Sequence, residues 1–325
     1  MTQTIAEGPP PSPSSRFKRA RLARRADRDQ TDRNSLIGHS RFTPYLLSGP
    51  AVIGISLLLA FPVMYAAWGS LFTAEFMGAE PEFAGLANYV DLFTDSRFLW
   101  AMSRSAIFVV GCLIVGSILA LIFAFALNRA ANRMRFFRAV TIAPYLVSGV
   151  AAAVMFRLLF NQDFGQVNQV IELFGIDGLP WFADSTFAMV VVILAQVWTD
   201  LPLSILILLG GLQTIDPSYL DSARVDGATG WNRARFVSIP LIAPQLAIST
   251  VWLSYGTLTS LGVVLALTGG GPRRATQTLP VELYETVFVR LETHQALAIV
   301  VIVLVLNAVL TLGYVRMSRR YEVSN

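Results

Sequence analysis

Residues 221–228 read Asp221-Ser222-Ala223-Arg224-Val225-Asp226-Gly227-Ala228 and are followed, at 239–241, by Ile239-Pro240-Leu241. This polar segment lies between two long apolar runs, 185–215 and 236–272, of which the first is broken once, by Asp200. Further charge-free runs cover 42–74, 105–128, 139–156 and 293–315. A helix of about 20 mostly apolar residues crosses the hydrocarbon core of a bilayer. Each run is therefore long enough to supply one transmembrane helix.

Composition agrees with a membrane protein, since 54% of the residues are hydrophobic and only 14% are charged. A soluble domain carries about 25% charged residues. The runs are also too long and too uniformly apolar for the buried core helices of a large soluble protein. We predict an all-α integral membrane fold with six transmembrane helices, near 46–71, 105–128, 139–160, 186–211, 241–267 and 293–316.

Basic residues predict the orientation. Of the 25 Lys and Arg residues, nine precede the first span, and the others are concentrated in alternate loops and the tail (129–138, 224–235 and 316–320). The opposite loops are poorer in base and carry acids instead: Glu75, Glu80, Glu82, Asp91 and Asp95 in one, Asp163, Glu172, Asp177 and Asp184 in the other. The positive-inside bias predicts that both termini and the 212–240 loop are cytoplasmic.

The first 40 residues form a separate region. Pro9 to Ser15 is rich in Pro and Ser, and the arginines that follow it adjoin a membrane span. We predict that 1–40 is a disordered basic cytoplasmic tail and that 41–325 is the six-span domain. Anionic membrane lipid is the expected partner of the tail, rather than nucleic acid.

The sequence offers no recognisable catalytic or metal-ligating set. Cys112 is the single cysteine, and the two histidines, His39 and His294, are far apart. The only lysine is Lys18, in the tail, whereas a P-loop needs a lysine after its glycines. We therefore expect no catalytic residue, no metal site and no cofactor bound by this chain. Uphill transport would take its energy from another subunit or from an ion gradient.

The polar segment has the signals of a short helix. Asp216-Pro217 is a typical N-terminus, because Asp caps the helix and Pro at the first position loses no needed donor. We predict a helix from Ser218 to Asp226 that Gly227 ends, and a second short helix from Trp231 to Val237. On these grounds alone the segment is either a docking element or an ordinary solvated connector.

The order of residues in the segment resembles the conserved cytoplasmic motif of bacterial ABC-importer permeases. That motif reads Glu-Ala-Ala, then Asp-Gly-Ala, then Ile-x-Leu-Pro after about a dozen residues. Asp221 stands where the family has Glu and Ser222 where it has Ala, so the acidic side chain is one methylene shorter. The resemblance implies coupling to an ATPase subunit through the 221–231 helix, with the coupling residues Asp221, Ala223, Arg224, Asp226, Gly227, Ala228, Ile239 and Pro240.

Three further motifs occur in the order expected for the carbohydrate-uptake branch of this family, in its maltose-type first permease. They are Phe160-Asn161-Gln162-Asp163-Phe164-Gly165 with Asn168 after it, Trp198-Thr199-Asp200-Leu201-Pro202, and Leu267-Thr268-Gly269-Gly270-Gly271-Pro272 with Thr276 beyond. The resemblance implies the type I importer permease fold and a multi-pass protein of the bacterial cell membrane. It also implies a second, different permease, two ATPase subunits that bind ATP-Mg, and an extracytoplasmic sugar-binding protein.

The family's sugar-contacting positions correspond here to Tyr145, Gly149, Asp200, Leu203, Thr257 and Ser260. Gly149 and Leu203 have no side-chain donor, so the sugar differs from that of the maltose type. Polar residues inside spans are costly and therefore suggest function. Asp200 accepts hydroxyl hydrogen bonds from a sugar, pairs with a cation, or only solvates a wet vestibule, and the sequence does not choose among these.

Two other functions compete with sugar import. One is an ABC permease for another solute, such as a polyamine or a phosphate ester, although a negative Asp200 disfavours an anion. The other is a proton-coupled secondary transporter or a membrane enzyme. Such a protein needs several intramembrane acids or a catalytic set, and the spans contain one acid, Asp200.

Overall fold

The computed structural model describes residues 43–73, 80–129 and 140–322. The predicted tail, 1–40, and its boundary with the six-span domain lie outside these residues. Most of the arginines that precede the first span and that separate the second and third spans also lie outside them. The cytoplasmic placement of the two termini stays a prediction.

The described residues are mainly helical, as predicted. In chain order the helices are α1 (Thr43–Gly69), α2 (Ala87–Thr94), α3 (Ser96–Arg129), α4 (Gly149–Leu159), α5 (Gln166–Glu172), α6 (Ser185–Gln213), α7 (Pro217–Val225), α8 (Gly230–Arg233), α9 (Ile239–Leu241), α10 (Ala243–Leu258), α11 (Gly262–Leu267), α12 (Leu279–Phe288) and α13 (Thr293–Glu322). A 3-10 turn (Ala143–Leu146) precedes α4, and a π-helical turn (Ala234–Ser238) joins α8 to α9. Two strands, β1 (Phe72–Thr73) and β2 (Glu82–Phe83), pair antiparallel in the first loop and were not predicted.

Four helices among the described residues are long and apolar enough to cross a membrane, and two bent pairs raise the number of spans to six. The four are α1, α3, α6 and α13, close to the predicted spans. The prediction of a continuous third span, 139–160, is wrong. Its two halves, Val140–Leu146 and Gly149–Leu159, meet at 110°, because Val147 and Ser148 have extended backbone and cannot continue a helix.

The fifth span is also interrupted. The segment Gly230–Leu241 and α10 meet at 77°. A proline lies in the first turn of each of α9 and α10, and because proline has no N–H it cannot donate the hydrogen bond that would continue the preceding helix. The predicted helix 241–267 ends at Leu258 and resumes as α11 at Gly262. Broken spans are tolerated in membranes where protein or water satisfies the freed backbone groups.

The chain divides into two compact units, Met1–Pro62 and Val63–Asn325. The described part of the first unit is the beginning of α1. Among the unbroken spans of the described residues, α6 is the most buried, since half of its most apolar window is buried, against 28% for α3 and 17% for α13. Small residues of α3 pack on α6: Ala120 and Ala124 are fully buried in one cluster with Ile205 and Leu208. Small residues let membrane helices approach closely.

Helices α6 and α10 run antiparallel in contact. A Cβ built on Gly256 would lie 2.7 Å from a carboxylate oxygen of Asp200, and one built on Gly211 would lie 2.7 Å from Gln245. Just beyond the C-terminal end of α10, the Ser260 hydroxyl donates a hydrogen bond to Gln196 of α6. These contacts place the break after Leu258 beside the first half of α6.

Candidate coupling segment and substrate path

The coupling segment, residues 217–241, begins at a helix N-terminus built as predicted. The Asp216 carboxylate accepts a hydrogen bond of 2.8 Å from the backbone N–H of Ser218, and Pro217 occupies the first turn of α7. This backbone hydrogen bond, with a further one from the Ser218 side chain, lowers the pKa of Asp216 below its ordinary value. The ionised carboxylate therefore stabilises the start of α7.

The Asp-Gly-Ala motif forms the C-terminal cap of α7. The N–H of Ala228 donates to the carbonyl of Ala223 at 2.9 Å, and that of Gly227 donates to Arg224 at 3.0 Å. This pair of bonds is a Schellman motif, which requires a left-handed residue. Gly227 supplies it, with φ of +78°. The predicted stop at Gly227 is thereby confirmed, and a continuous helix over 221–231 is wrong, since α7 ends at Val225 and α8 begins at Gly230.

The predicted coupling residues differ in exposure. Ala223 is buried and Ala228 and Ile239 are partly buried, whereas Asp226, Gly227 and Pro240 are exposed. Asp221 and Arg224 form a surface ion pair of 2.8 Å with each other. An exposed pair of this kind contributes about 0.3–0.5 kcal/mol within a helix. Both charges stay accessible to a partner.

Four large apolar side chains on the coupling segment, absent from the predicted coupling residues, are exposed: Tyr219 by 58%, Val225 by 88%, Trp231 by 69% and Phe236 by 68%. Exposed apolar side chains mark interaction sites where they form a contiguous patch, and these four lie close together in the sequence. The sequence could have indicated these residues, because each is a large apolar residue in a mostly polar connector between two spans.

Of the predicted substrate-path residues, Asp200 and Ser260 are brought together through Gln196. The Ser260 hydroxyl donates to Gln196 Oε1 at 2.6 Å, and Gln196 Nε2 donates to Asp200 Oδ2 at 2.7 Å. We call these three residues the buried relay. Asp200 is 7% exposed and its carboxylate lies against Gly256. The relay thus connects α6 to the break between α10 and α11.

The other predicted path residues occupy different positions. Thr257 is buried and donates to its own helix, at Leu253 O. Tyr145 is 47% exposed, and its ring centroid is 6.3 Å from that of Trp252. Gly149 begins α4 just after the break, where a Cβ would meet Val263 at 3.1 Å. Leu203 is partly buried. Among the described residues, none of these four is hydrogen-bonded to the buried relay.

The break in the third span and the break between α10 and α11 lie next to each other. Gly149 follows the break in the third span and faces Val263 of α11, and Gly262 of α11 faces Val150 of α4. Tyr145 and Ser260 belong to the two interrupted stretches themselves. Discontinuous spans of this kind form substrate sites in several transporter folds, because their freed backbone groups face a cavity.

The described residues contain no group of three or more His, Cys, Asp or Glu side chains placed to hold a metal ion. A buried ion pair outside the predicted sites closes the loop before α13. Glu282, 1% exposed, pairs with Arg290 at 2.6 Å and accepts from Gln277 at 3.0 Å.

Residues 116–323 match the family described as "binding-protein-dependent transport system inner membrane component". The chain belongs to this family. It is 32% identical over 281 residues to an sn-glycerol-3-phosphate transport system permease protein UgpA of Agrobacterium fabrum, covering 85% of this chain and 94% of the relative. It is also 32% identical to UgpA of Escherichia coli strain UTI89, covering 87% and 97% of the two chains.

Two solved structures have the same fold. A bacterial alginate ABC transporter, in complex with an alginate pentasaccharide-bound periplasmic protein, matches with a TM-score of 0.72, covering 86% of this chain and 94% of the other at 19% identity. A second structure, of an ABC transporter involved in the import of alginate, matches with a TM-score of 0.69 over 92% and 99% of the chains at 20% identity. The predicted ABC-importer permease fold and the inner-membrane, multi-pass location are confirmed. The chain is a transport subunit.

Proposed function

We propose that this chain is one of two different permease subunits of an ATP-driven sugar importer and forms half of its translocation path. A sugar-binding protein outside the membrane delivers a mono-, di- or oligosaccharide, and two ATPase subunits supply the energy. Membership of a binding-protein-dependent family supports the delivery step. ATP-Mg binds the partner ATPase, not this chain.

The observation that carries the proposal is the coupling segment. A capped helix of nine residues presents the exposed Tyr219 and Val225, and Trp231 and Phe236 follow it. Burying a large apolar side chain stabilises an interface by about 1.5–3 kcal/mol. Its predicted cytoplasmic position makes the ATPase the natural partner.

Motion of the ATPase subunits would be transmitted to the substrate path through α10. The coupling segment ends at α9, and α10 follows it directly and lies along α6, where the relay meets the break after Leu258. A rigid segment that moves α10 would shift this crossing, as in other rigid-body transitions. The candidate path residues Tyr145, Gly149, Asp200, Leu203, Thr257 and Ser260 surround or adjoin that region, and the hydroxyl-bearing ones suit a sugar.

A second candidate solute is a phosphate ester. The similarity to permeases named for sn-glycerol 3-phosphate favours it. The candidate path residues disfavour it, because they include a carboxylate and no cation, and a phosphate group requires a compensating donor set such as Arg or Lys.

Uptake measurements in a strain that lacks this gene separate the two candidates. Radiolabelled glucose, maltose, trehalose and glycerol 3-phosphate would be offered to the deletion strain, the parent, and the deletion strain that carries the gene on a plasmid. The proposal requires that uptake of at least one sugar falls in the deletion strain and returns with the gene. Loss confined to glycerol 3-phosphate would establish the second candidate and overturn the first.

A further inference from the structure

A cavity of about 490 Å³ opens at the end of α6 opposite the coupling segment. Its lining comes from the end of α4 and the loop after it, from residues 182–183 just before α6, and from the glycine-rich loop after α11. We call it the outer pocket, since the predicted orientation places it on the extracytoplasmic side. None of the predicted substrate-path residues lines it.

One wall of the outer pocket is fixed by two asparagines. Asn161 Oδ1 accepts from the N–H groups of Asp163 and Phe164, at 2.9 and 3.2 Å. Asn168 is 2% exposed. Its Nδ2 donates to Gln162 O and Leu179 O, and its Oδ1 accepts from Leu179 N and Trp181 Nε1 at 3.1 and 2.7 Å. All the hydrogen-bonding capacity of the Asn168 amide thus holds this loop in place.

The facing wall is the glycine-rich loop, which is closed by its own hydrogen bonds. The Thr276 hydroxyl donates to Gly271 O at 2.8 Å, and the hydroxyls of Thr268 and Thr276 are 2.7 Å apart. The N–H of Gly271 donates to Thr268 O at 3.1 Å. Both walls are therefore set before any ligand arrives, which lowers the entropy cost of binding.

The two charged side chains that line the outer pocket are unpaired within the described part of the chain, whereas the asparagines and threonines of its walls are hydrogen-bonded within the protein. Among the described residues, the Arg157 guanidinium and the Asp163 carboxylate have no ion-pair partner within 4 Å and no hydrogen bond. Phe182, partly buried, adds an aromatic ring to the lining. The pocket thus offers one cation, one anion and one apolar face.

This set matches a neutral carbohydrate. A guanidinium has five donors and a carboxylate accepts several hydroxyl hydrogen bonds, so adjacent sugar hydroxyls satisfy both. An aromatic ring covers the apolar C–H face of a sugar ring. The single negative charge of Asp163 offsets Arg157 and so disfavours a phosphate or a second carboxylate. The volume lies in the range of small-molecule sites, about 300–1,000 Å³.

We propose that the outer pocket is a carbohydrate-binding subsite for one or two neutral sugar rings, separate from the substrate path at the helix breaks. Arg157 donates to sugar hydroxyls, Asp163 accepts from them, and Phe182 packs on the ring. The inference rests on the proposed function, because it assumes that the solute is a sugar.

Two variants test the subsite in the purified complete transporter in lipid nanodiscs. Ala183→Trp fills the pocket from its exposed rim, and Arg157→Gln with Asp163→Asn removes both charges while keeping polar side chains of similar size. Arg273→Gln with Asp177→Asn is the matched control, since both positions are outside the pocket lining. Binding of radiolabelled glucose, maltose and trehalose would be measured by equilibrium dialysis without the binding protein.

We expect Arg157→Gln with Asp163→Asn to bind the sugar that wild type binds about tenfold more weakly, as the loss of one or two hydrogen bonds predicts. Ala183→Trp should weaken binding at least as much, because the indole occupies the pocket, and the control should bind as wild type does. Unchanged binding in both pocket variants would overturn the subsite. Loss of ATPase stimulation by the sugar-free binding protein in Ala183→Trp would also overturn it, because the pocket would then receive the protein. Failure of the proposed function is seen separately, as absence of sugar uptake by wild-type cells.

Discussion

The coupling segment and the buried relay arrange polar and apolar side chains in opposite ways. On the coupling segment the charges of Asp221 and Arg224 lie at the surface and pair with each other, while Trp231 and Phe236 are exposed. In the relay, Gln196 and Asp200 are 4% and 7% exposed and are surrounded by apolar spans.

The difference follows from the solvent that each region meets. Charged groups beside water cost little, so their presence on the coupling segment is weak evidence of function, and the exposed apolar area is the stronger evidence. Inside a span a polar group costs several kcal/mol unless it is hydrogen-bonded. The relay therefore marks a contact that fixes α6 to the break between α10 and α11.

The largest expected effect is that of Gly227→Asp. A side chain at φ of +78° costs about 1–2 kcal/mol. This strain would disrupt the hydrogen bonds of Gly227 and Ala228 that cap α7. We expect uptake to fall to the level of the deletion strain while immunoblots of the membrane fraction show normal amounts of the chain.

Gly175→Asp is the matched control for that change. Gly175 has φ of +75° and, like Gly227, no atom within 4 Å of a built Cβ, but it lies in the loop before α6, on the opposite side. Uptake should be retained in this variant. Normal transport by Gly227→Asp would contradict the coupling role of the cap.

A smaller effect is expected from removing the exposed apolar side chains of the coupling segment. Trp231→Ala combined with Phe236→Ala should weaken co-purification of the ATPase subunit at least tenfold, since each buried aromatic contributes about 1.5–3 kcal/mol. Phe174→Ala, at a position 78% exposed in the opposite loop, should leave it unchanged. Equal ATPase recovery from all three proteins would show that the apolar surface is not the docking surface.

Two substitutions of Asp200 distinguish its structural role in the relay from a role in sugar binding. Asparagine retains an acceptor for Gln196, so Asp200→Asn should keep thermal stability near that of wild type. Leucine retains none, and Asp200→Leu should lower the free energy of unfolding by about 1.5–3 kcal/mol. If Asp200 also contacts the sugar, as we expect, Asp200→Asn changes the half-saturating sugar concentration several-fold without affecting ATPase recovery. Unchanged uptake kinetics would leave Asp200 with the structural role alone.

The smallest effect concerns pH and the start of α7. The pKa of Asp216 is lower in the folded protein than the unfolded value of about 3.9. Its stabilisation of α7 is therefore complete above about pH 4 and is lost as the pH falls through the folded pKa. The hydrogen-exchange protection factor of the first turn of α7, which corrects for the intrinsic pH dependence of exchange, should fall below about pH 4 in wild type but not in Asp216→Asn, because neutral asparagine also caps helices. An equal fall in both proteins would exclude Asp216 as the cause.

Local signals in the sequence were sufficient to predict where α7 begins and ends. Asp216-Pro217 and Gly227 act on neighbouring backbone groups, so the cap residues could be named without knowledge of the fold. The same holds for the approximate spans, because the hydrophobic effect acts on each run separately. The break in the third span was missed, since Val147 and Ser148 carry no strong breaking signal in the sequence.

The sequence by itself therefore determined a multi-span helical membrane protein with a capped polar segment between two spans, because those features depend on composition and on interactions between near neighbours. Only the tertiary structure decided that Asp200 reaches Ser260 through Gln196, that Glu282 is buried against Arg290, and that Arg157 and Asp163 line one pocket with Phe182. These are contacts between side chains of different elements or across loops. Their partners are chosen by the packing of helices against one another, which no local pattern specifies.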